Sequence, residues 1–127
     1  MVDVICDTSF LIHLANHRIK NLATLDTDIG FIQFLVPDIV ISELNKLAKQ
    51  EEKSREANNT IQYIKNFKKI NIGGSFADDS ILKHVRNNGG VIATIDKELK
   101  YKIKNNGGSV ISIANNRIVL EASKGLT

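Results

Sequence analysis

The apolar runs of this chain are short and nearly unbroken, and that constrains its fold more than any other feature. Phe31-Ile32-Gln33-Phe34-Leu35-Val36, Val91-Ile92-Ala93-Thr94-Ile95 and Val2-Asp3-Val4-Ile5-Cys6 carry apolar residues on both pleat faces. A strand with one wet face alternates, whereas a strand covered on both faces does not. Between these runs the apolar spacing turns helical. Phe10, Leu11, Leu14 and Ala15 form one stripe, and Val40, Ile41, Leu44, Leu47 and Ala48 form another over about 38–50. Ile61, Ile64 and Phe67, then Ile81, Leu82 and Val85 over 78–88, give two more, and 97–105 is helical again. A weaker helix is expected over 20–28. Short strands are expected at Ile70-Asn71-Ile72 and Ser109-Val110-Ile111-Ser112-Ile113, with Ile118-Val119-Leu120 as a last strand or a packed tail. Strands alternating with helices imply a parallel sheet covered on both faces, with all strand carboxyl ends on one edge.

The punctuation agrees. Pro37, the sole proline, follows an apolar run and suits the first turn of a helix. Asn87-Asn88-Gly89-Gly90 and Asn105-Asn106-Gly107-Gly108 both stand between a helix and a strand, where residues tolerant of left-handed backbone end helices. With 127 residues the chain is expected to form one domain over 1–121 with a loose tail over 122–127. No segment has the length and apolarity of a membrane span or a signal core. The single cysteine, Cys6, has no partner for an internal disulfide and reads as a small buried hydrophobe, so a cytoplasmic setting is expected.

Carboxylates gather at the strand ends. Asp7 closes the first strand, Asp96 closes the strand after residue 91, and Asp78 opens a helix. Glu43 lies beside the apolar stripe of the helix after Pro37. Asp78 continues the stripe of Ile81, Leu82 and Val85, while Asp79 lines up with Lys83 and Arg86 on the wet side. Each acid has an ordinary alternative role: Asp7 as a helix cap, with Thr8 or Ser9 as the other capping candidates, Asp78 as a first-turn residue, Glu43 as a lysine partner, Asp96 as a turn former. Four carboxylates at one edge repel one another, and a divalent cation with oxygen preference, Mg²⁺ or Mn²⁺, offsets that repulsion.

Formal net charge is +3, which admits an anionic partner. Eleven of the seventeen basic residues lie in 46–55, 65–69 and 97–104, so positive charge concentrates on three helix-like faces. Lys46, Lys49, Lys53 and Arg55 extend from the Glu43 helix. Lys97, Lys100, Lys102 and Lys104 extend from the helix after Asp96. Together they outline a basic rim able to hold a phosphate backbone. Of seven aromatic residues, Phe10, Phe31 and Phe34 read as core, and Tyr63 and Tyr101 are the candidates for base stacking, with surface packing as their ordinary role. His13, His17 and His84 are scattered on helix patterns and are not expected as metal ligands where oxygen ligands are present.

These segments resemble the PIN domain family of metal-dependent ribonucleases. Asp7-Thr8-Ser9 is similar to its opening motif, Val36-Pro37-Asp38 through Ser42-Glu43-Leu44 to its strand–proline–helix segment, and Ala77-Asp78-Asp79-Ser80-Ile81 to its third-acid helix. Ala93-Thr94-Ile95-Asp96-Lys97-Glu98-Leu99 is similar to its fourth-acid segment. The Ala-Asp-Asp motif, the run after Asp96 and Ile113-Ala114-Asn115-Asn116-Arg117 are most similar to the ribosomal RNA processing branch. The VapC-type toxin branch shares the acids but matches these flanks less well. The resemblance implies a three-layer α/β/α sandwich with a mostly parallel central sheet of about five strands. It implies Mg²⁺ or Mn²⁺ held by Asp7, Glu43, Asp78 and Asp96, with Ser9 and Thr94 in support, and hydrolysis of single-stranded RNA, with precursor ribosomal RNA as the expected substrate. Lys46, Lys49, Lys97 and Lys100 become the expected RNA contacts. A homodimer is a further expectation from the family, as is an antitoxin partner on the toxin reading. Two departures stand out: Ile95 takes the place of the family's asparagine before the fourth acid, and no zinc-binding cysteine motif is present. Ile95 is the feature that favours a non-catalytic, RNA- or protein-binding scaffold in ribosome assembly.

Overall fold

The computed structural model describes residues 2–20, 26–27 and 30–121. In chain order the elements are β1 (Val2–Cys6), α1 (Thr8–Asn16), β2 (Asp26–Thr27), β3 (Gly30–Pro37), α2 (Asp38–Leu47), α3 (Ser54–Tyr63), β4 (Lys68–Ile70), α4 (Ala77–Asn88), β5 (Val91–Ala93), α5 (Lys97–Asn105), β6 (Ser109–Ala114) and β7 (Arg117–Glu121). Five strands run parallel in the order β4-β3-β1-β5-β6. Two antiparallel strands flank them: β7 on the β6 edge, and β2 on β3 at the opposite end from β4. The β6–β7 hairpin turns on Asn115 and Asn116, both at positive φ (53° and 58°), a conformation asparagine tolerates well.

The unbroken apolar runs have their cause in the layers. β1 sends Val4 and Cys6 into a core with Phe10, Leu11, Leu14, Val40 and Leu44 from α1 and α2. Ile5 points the other way, into a core with Ile81, Val85, Leu99 and Ile103 from α4 and α5. Register extends the second row across the sheet, since Ile5 pairs with Leu35 and with Ile92. Each large aliphatic side chain fully buried there contributes about 1.5–3 kcal/mol. The architecture is the expected three-layer sandwich.

Several boundaries moved. The helix expected over 20–28 lies mostly outside the described residues; of its described part, Lys20 is in a turn and Asp26–Thr27 is strand β2 instead. The short strand is Lys68–Ile70 and not 70–72, because the Ile72 N–H leaves the ladder to donate to Asp38 Oδ1 at 3.1 Å. Helix α2 stops at Leu47, where Lys49 and Gln50 tighten to i−3 acceptors. Phe31, expected in the core, is 65% exposed at the amino end of β3. Residues 122–127, the expected loose tail, lie outside the described residues.

From β1 the chain moves outward to β3 and β4, then returns past β1 to β5 and β6. The strand order therefore reverses between β1 and β5, and the crevice beyond their carboxyl ends is where open α/β sheets bind ligands.

Candidate active site

Asp7 stands at that crevice. Its N–H donates to Ala93 O at 2.9 Å, stitching β1 to β5 one step past their paired residues. Its side chain is the cap of α1, a role the sequence also offered to Thr8 and Ser9. Oδ1 accepts from the Phe10 N–H (3.2 Å), an otherwise orphaned donor of the first turn, and from Ser9 Oγ (2.8 Å). Oδ2 accepts from Thr94 Oγ1. At 2% exposure Asp7 is the most demanding polar group of the site. Burial pushes its carboxyl above the ordinary range, while the bonds from Thr94, Ser9 and Phe10 pull it part of the way back.

Ser9 and Thr94 connect this carboxylate to the fourth acid. Thr94 Oγ1 accepts from the Asp96 N–H (3.1 Å), and Ser9 Oγ accepts from the Ile95 N–H (3.4 Å). Asp96 lies three residues past β5, not at its end, and caps α5 by accepting from the Leu99 N–H at 3.0 Å through Oδ1. Ile95 packs against the core on the α1–α2 side, so the polar support at this edge comes from Ser9 and Thr94.

Glu43, in the second turn of α2, bridges three helices. Its Oε1 accepts from Thr8 Oγ1 at 2.8 Å, and its Oε2 accepts from the Ala77 N–H at 2.9 Å. Phe76, the residue before α4, offers no side-chain cap, so a glutamate from another helix satisfies that donor. Thr8 and the Ala77 amide are the parts sequence reasoning missed. The hydroxyl beside Asp7 was a signal for Thr8; nothing in the sequence marks a backbone amide as a carboxylate's partner.

Asp78 completes the group. Burial, together with the negative charges of Asp7, Asp96, Glu43 and Asp79, pushes its carboxyl up to about 6. Asp7, Asp96 and Glu43, from three other segments, thus lie close enough to act on Asp78. Ile81, Leu82 and Val85 are buried as the helix phase requires. Asp79 is not remote, since it lines a small cleft between α4 and α5 with Asp78, Leu82, Glu98, Leu99 and Lys102.

Hard carboxylate oxygens, uncompensated mutual repulsion and a raised carboxyl at Asp78 fit a small divalent cation. Among the described residues, no group of three or more His, Cys, Asp or Glu side chains is placed to hold a metal ion.

The expected cationic rim divides. Lys46, Lys49 and Lys97 are exposed and make no ion pair among the described residues. Lys100 instead pairs with Glu121 Oε2 at 2.7 Å, while Lys104 holds Oε1 at 2.8 Å. Burial alone lifts the Glu121 carboxyl, but the two lysines outweigh it and hold it below its ordinary value. Tyr63 is half-buried and tilts against Phe67 with centroids 5.7 Å apart, which removes it from the stacking candidates. His13 and His17 stack on each other at 4.0 Å on α1.

Comparison with known proteins agrees with this geometry. Residues 4–116 match the model of the PIN-like domain. Ribonuclease VapC4 of Methanocaldococcus jannaschii is 30% identical over 119 residues, covering 89% of this chain and 91% of the relative. The structure of the PIN domain endonuclease Utp24 superposes with a TM-score of 0.75 at 25% identity, covering 94% of this chain and 90% of that one. A domain of a functionally unknown protein from Methanocaldococcus jannaschii shares the fold at a TM-score of 0.63 and 18% identity, over 100% of this chain and 96% of that one. The match over nearly all of β1 to β6 and the acids gathered where that sheet reverses lead to one conclusion: the chain belongs to the PIN-like domain family.

Proposed function

We propose that this protein is a divalent-metal-dependent endoribonuclease that hydrolyses phosphodiester bonds in single-stranded RNA. The observation that carries the reading is geometric: Thr94 joins Asp7 to the Asp96 amide where the sheet reverses, and Glu43 holds the Ala77 amide next to Asp78; burial and these neighbouring charges push the Asp78 carboxyl up to about 6. The ion would be Mg²⁺ or Mn²⁺, held by Asp7, Glu43, Asp78 and Asp96, and would supply counter-charge for the developing phosphorane and polarisation of the attacking water. The chain's own residues position the acids. Thr94 and Ser9 fix both oxygens of Asp7, Thr8 and the Ala77 amide fix both oxygens of Glu43, and the Leu99 N–H fixes one oxygen of Asp96. These bonds limit the reorientation needed when substrate arrives.

Within this reading we assign the substrate to precursor ribosomal RNA, on the likeness of the Ala77-Asp78-Asp79 and Asp96-Lys97-Glu98-Leu99 segments to the processing branch of the family. A VapC-type toxin ribonuclease is the second reading, favoured by the 30% identity to Ribonuclease VapC4. Growth arrest on expression, relieved by Asp7→Asn, would select the toxin reading.

The test is cleavage of single-stranded RNA by purified protein with Mn²⁺. Asp7→Asn and Asp78→Asn are expected to abolish cleavage while leaving the circular dichroism spectrum and a cooperative melt in place. Equal cleavage by these variants, or none by the wild type, refutes the reading; the second result leaves a binding scaffold.

A further inference from the structure

Among the described residues, three large hydrophobic side chains are exposed: Phe31 (65%), Phe76 (66%) and Tyr101 (54%). An isolated exposed ring needs no explanation, so position decides what each one means. Phe31 is the second residue of β3, and the carboxyl end of that strand is the acidic edge, so its ring belongs to the far side of the sheet. Tyr101 lies beside Lys100, Lys104 and Glu121, where α5 meets β7. Phe76 alone borders the acids. The next residue donates its N–H to Glu43, and the one after it is Asp78.

The backbone at Phe76 is anchored on both sides. Its carbonyl accepts from the Ser80 N–H at 3.0 Å, and the adjoining Ala77 amide is held by Glu43. Its extended conformation (φ −131°, ψ 136°) is unstrained. A ring on an anchored backbone loses little freedom when it takes a flat partner. A groove of about 320 Å³ is lined by Gly74 and Ser80, two residues before Phe76 and four after it, and by further residues of α4. Asn71, Lys83, His84 and Asn87 line it, a set of amides, an imidazole and one cation, which suits a sugar–phosphate backbone with its bases. Gly74 keeps the entrance narrow in chain and open in space: a Cβ there would lie 1.8 Å from Ser80 Oγ.

We propose that Phe76 is a base-stacking platform for single-stranded RNA, and that the strand passes from the acids over this ring into the groove of Lys83, His84 and Asn71. The proposal rests on the endoribonuclease reading and adds a subsite to it. The ring holds the nucleotide beside the scissile phosphate by stacking, which every base can provide, so it gives affinity and register with little sequence preference. Lys83 takes a phosphate of the strand as it leaves. No local pattern marks this residue, because Phe76 follows a Gly-Gly-Ser stretch and has no apolar neighbours in helical phase.

The test uses three substitutions in the full chain. Phe76→Leu keeps an apolar group and removes the ring, Phe76→Trp restores a larger ring, and Phe31→Leu removes an exposed ring at the far edge. In single-turnover cleavage with Mn²⁺, Phe76→Leu is expected to raise the protein concentration giving half-maximal rate about tenfold, with the limiting rate little changed. Phe76→Trp should restore wild-type behaviour and Phe31→Leu should match it. The wild-type chain has no tryptophan, so Phe76→Trp also gives a unique fluorophore, whose emission should be quenched by single-stranded RNA and far less by duplex. Unchanged half-saturation in Phe76→Leu, or no quenching in Phe76→Trp, overturns the platform while leaving the nuclease reading in place. Quenching without any cleavage by the wild type keeps the platform and removes the nuclease. A change from dimer to monomer in Phe76→Leu with unaltered RNA affinity assigns the ring to an interface between copies and overturns the proposal.

Discussion

At the residue scale, the site is a balance between one buried carboxylate that is well satisfied and one at the mouth that is not. Asp7 has three donors on its two oxygens. Asp78 bears the repulsion of the whole group, and its carboxyl rises from 3.8 to about 6. The sign of the consequence follows from proton uptake. Between those values the folded protein holds the Asp78 proton more tightly than the unfolded chain does. Metal-free stability is therefore full below 3.8, falls as the pH rises through about 6, and stays reduced above it. Asp78→Asn removes the charge and with it the loss. Because burial at Asp78 is only partial and its side chain still meets solvent, screening discounts the gain to about 1 kcal/mol. Thermal melts in EDTA should place the variant about 3 °C above the wild type at neutral pH, with the difference vanishing in acid. A variant less stable than wild type at neutral pH would mean the four acids do not crowd.

At the scale of elements, identical letters can serve different purposes. Both Asn-Asn-Gly-Gly breaks connect a helix to a strand, and in three of their four glycines the backbone is left-handed: Gly89 (φ 67°), Gly90 (φ 113°) and Gly107 (φ 85°). Gly108 is the exception. A Cβ there would lie 2.6 Å from Ile103 Cγ2 and 2.9 Å from Val85 Cγ1, so this glycine is required by the approach of β6 to α4 and α5. Gly108→Ala is expected to cost about 2 kcal/mol through overpacking, and Gly107→Ala, with open space around its Cβ, about 1 kcal/mol through backbone strain. Urea unfolding of the pair checks the order; a reversed order would refute the packing account. A second device joins α5 to β7, where Glu121 holds Lys100 and Lys104. Its carboxyl is lowered on folding, so the clamp stabilises above the ordinary value of 4.5 and loses that contribution as the pH falls through the lower folded value. Glu121→Gln should be about 1 kcal/mol less stable than wild type at neutral pH and equal to it in strong acid, as read by melts across pH. The core helices and the parallel strands were legible because period and burial are local properties of sequence, as Ile81, Leu82 and Val85 illustrate. The four acids were expected at one edge because parallel strands share their carboxyl ends. The Thr8–Glu43 and Ala77–Glu43 bonds were not, since partners 34 and 35 residues apart leave no local pattern. Phe31 was misread because an apolar residue at a strand's first position has the right type but not the right depth.

For the whole molecule, the governing quantity is how a chain of net charge +3 keeps its positive charge apart from its acidic edge. The lysines are not equivalent. Lys46 and Lys97 follow Glu43 by three residues and Asp96 by one, and neither has an ion-pair partner among the described residues. Lys100 and Lys104 are already compensated by Glu121 and would have to surrender that pairing to bind phosphate. Free cations release counterions from a nucleic acid and so contribute to the salt dependence of binding, whereas paired ones contribute little. Lys46→Glu and Lys97→Glu should therefore each weaken RNA binding at low salt and flatten the slope of log affinity against log salt by about 1. Lys100→Gln should leave that slope nearly unchanged and lower the melting temperature instead. The measurement is a fluorescence titration with single-stranded RNA across a salt series, run beside a melt. If Lys100→Gln flattens the slope as much as Lys97→Glu does, the clamp on Glu121 opens when RNA arrives. The end of α5 and the last strand would then be part of the binding surface, with Glu121 acting as a competitor that the substrate must displace.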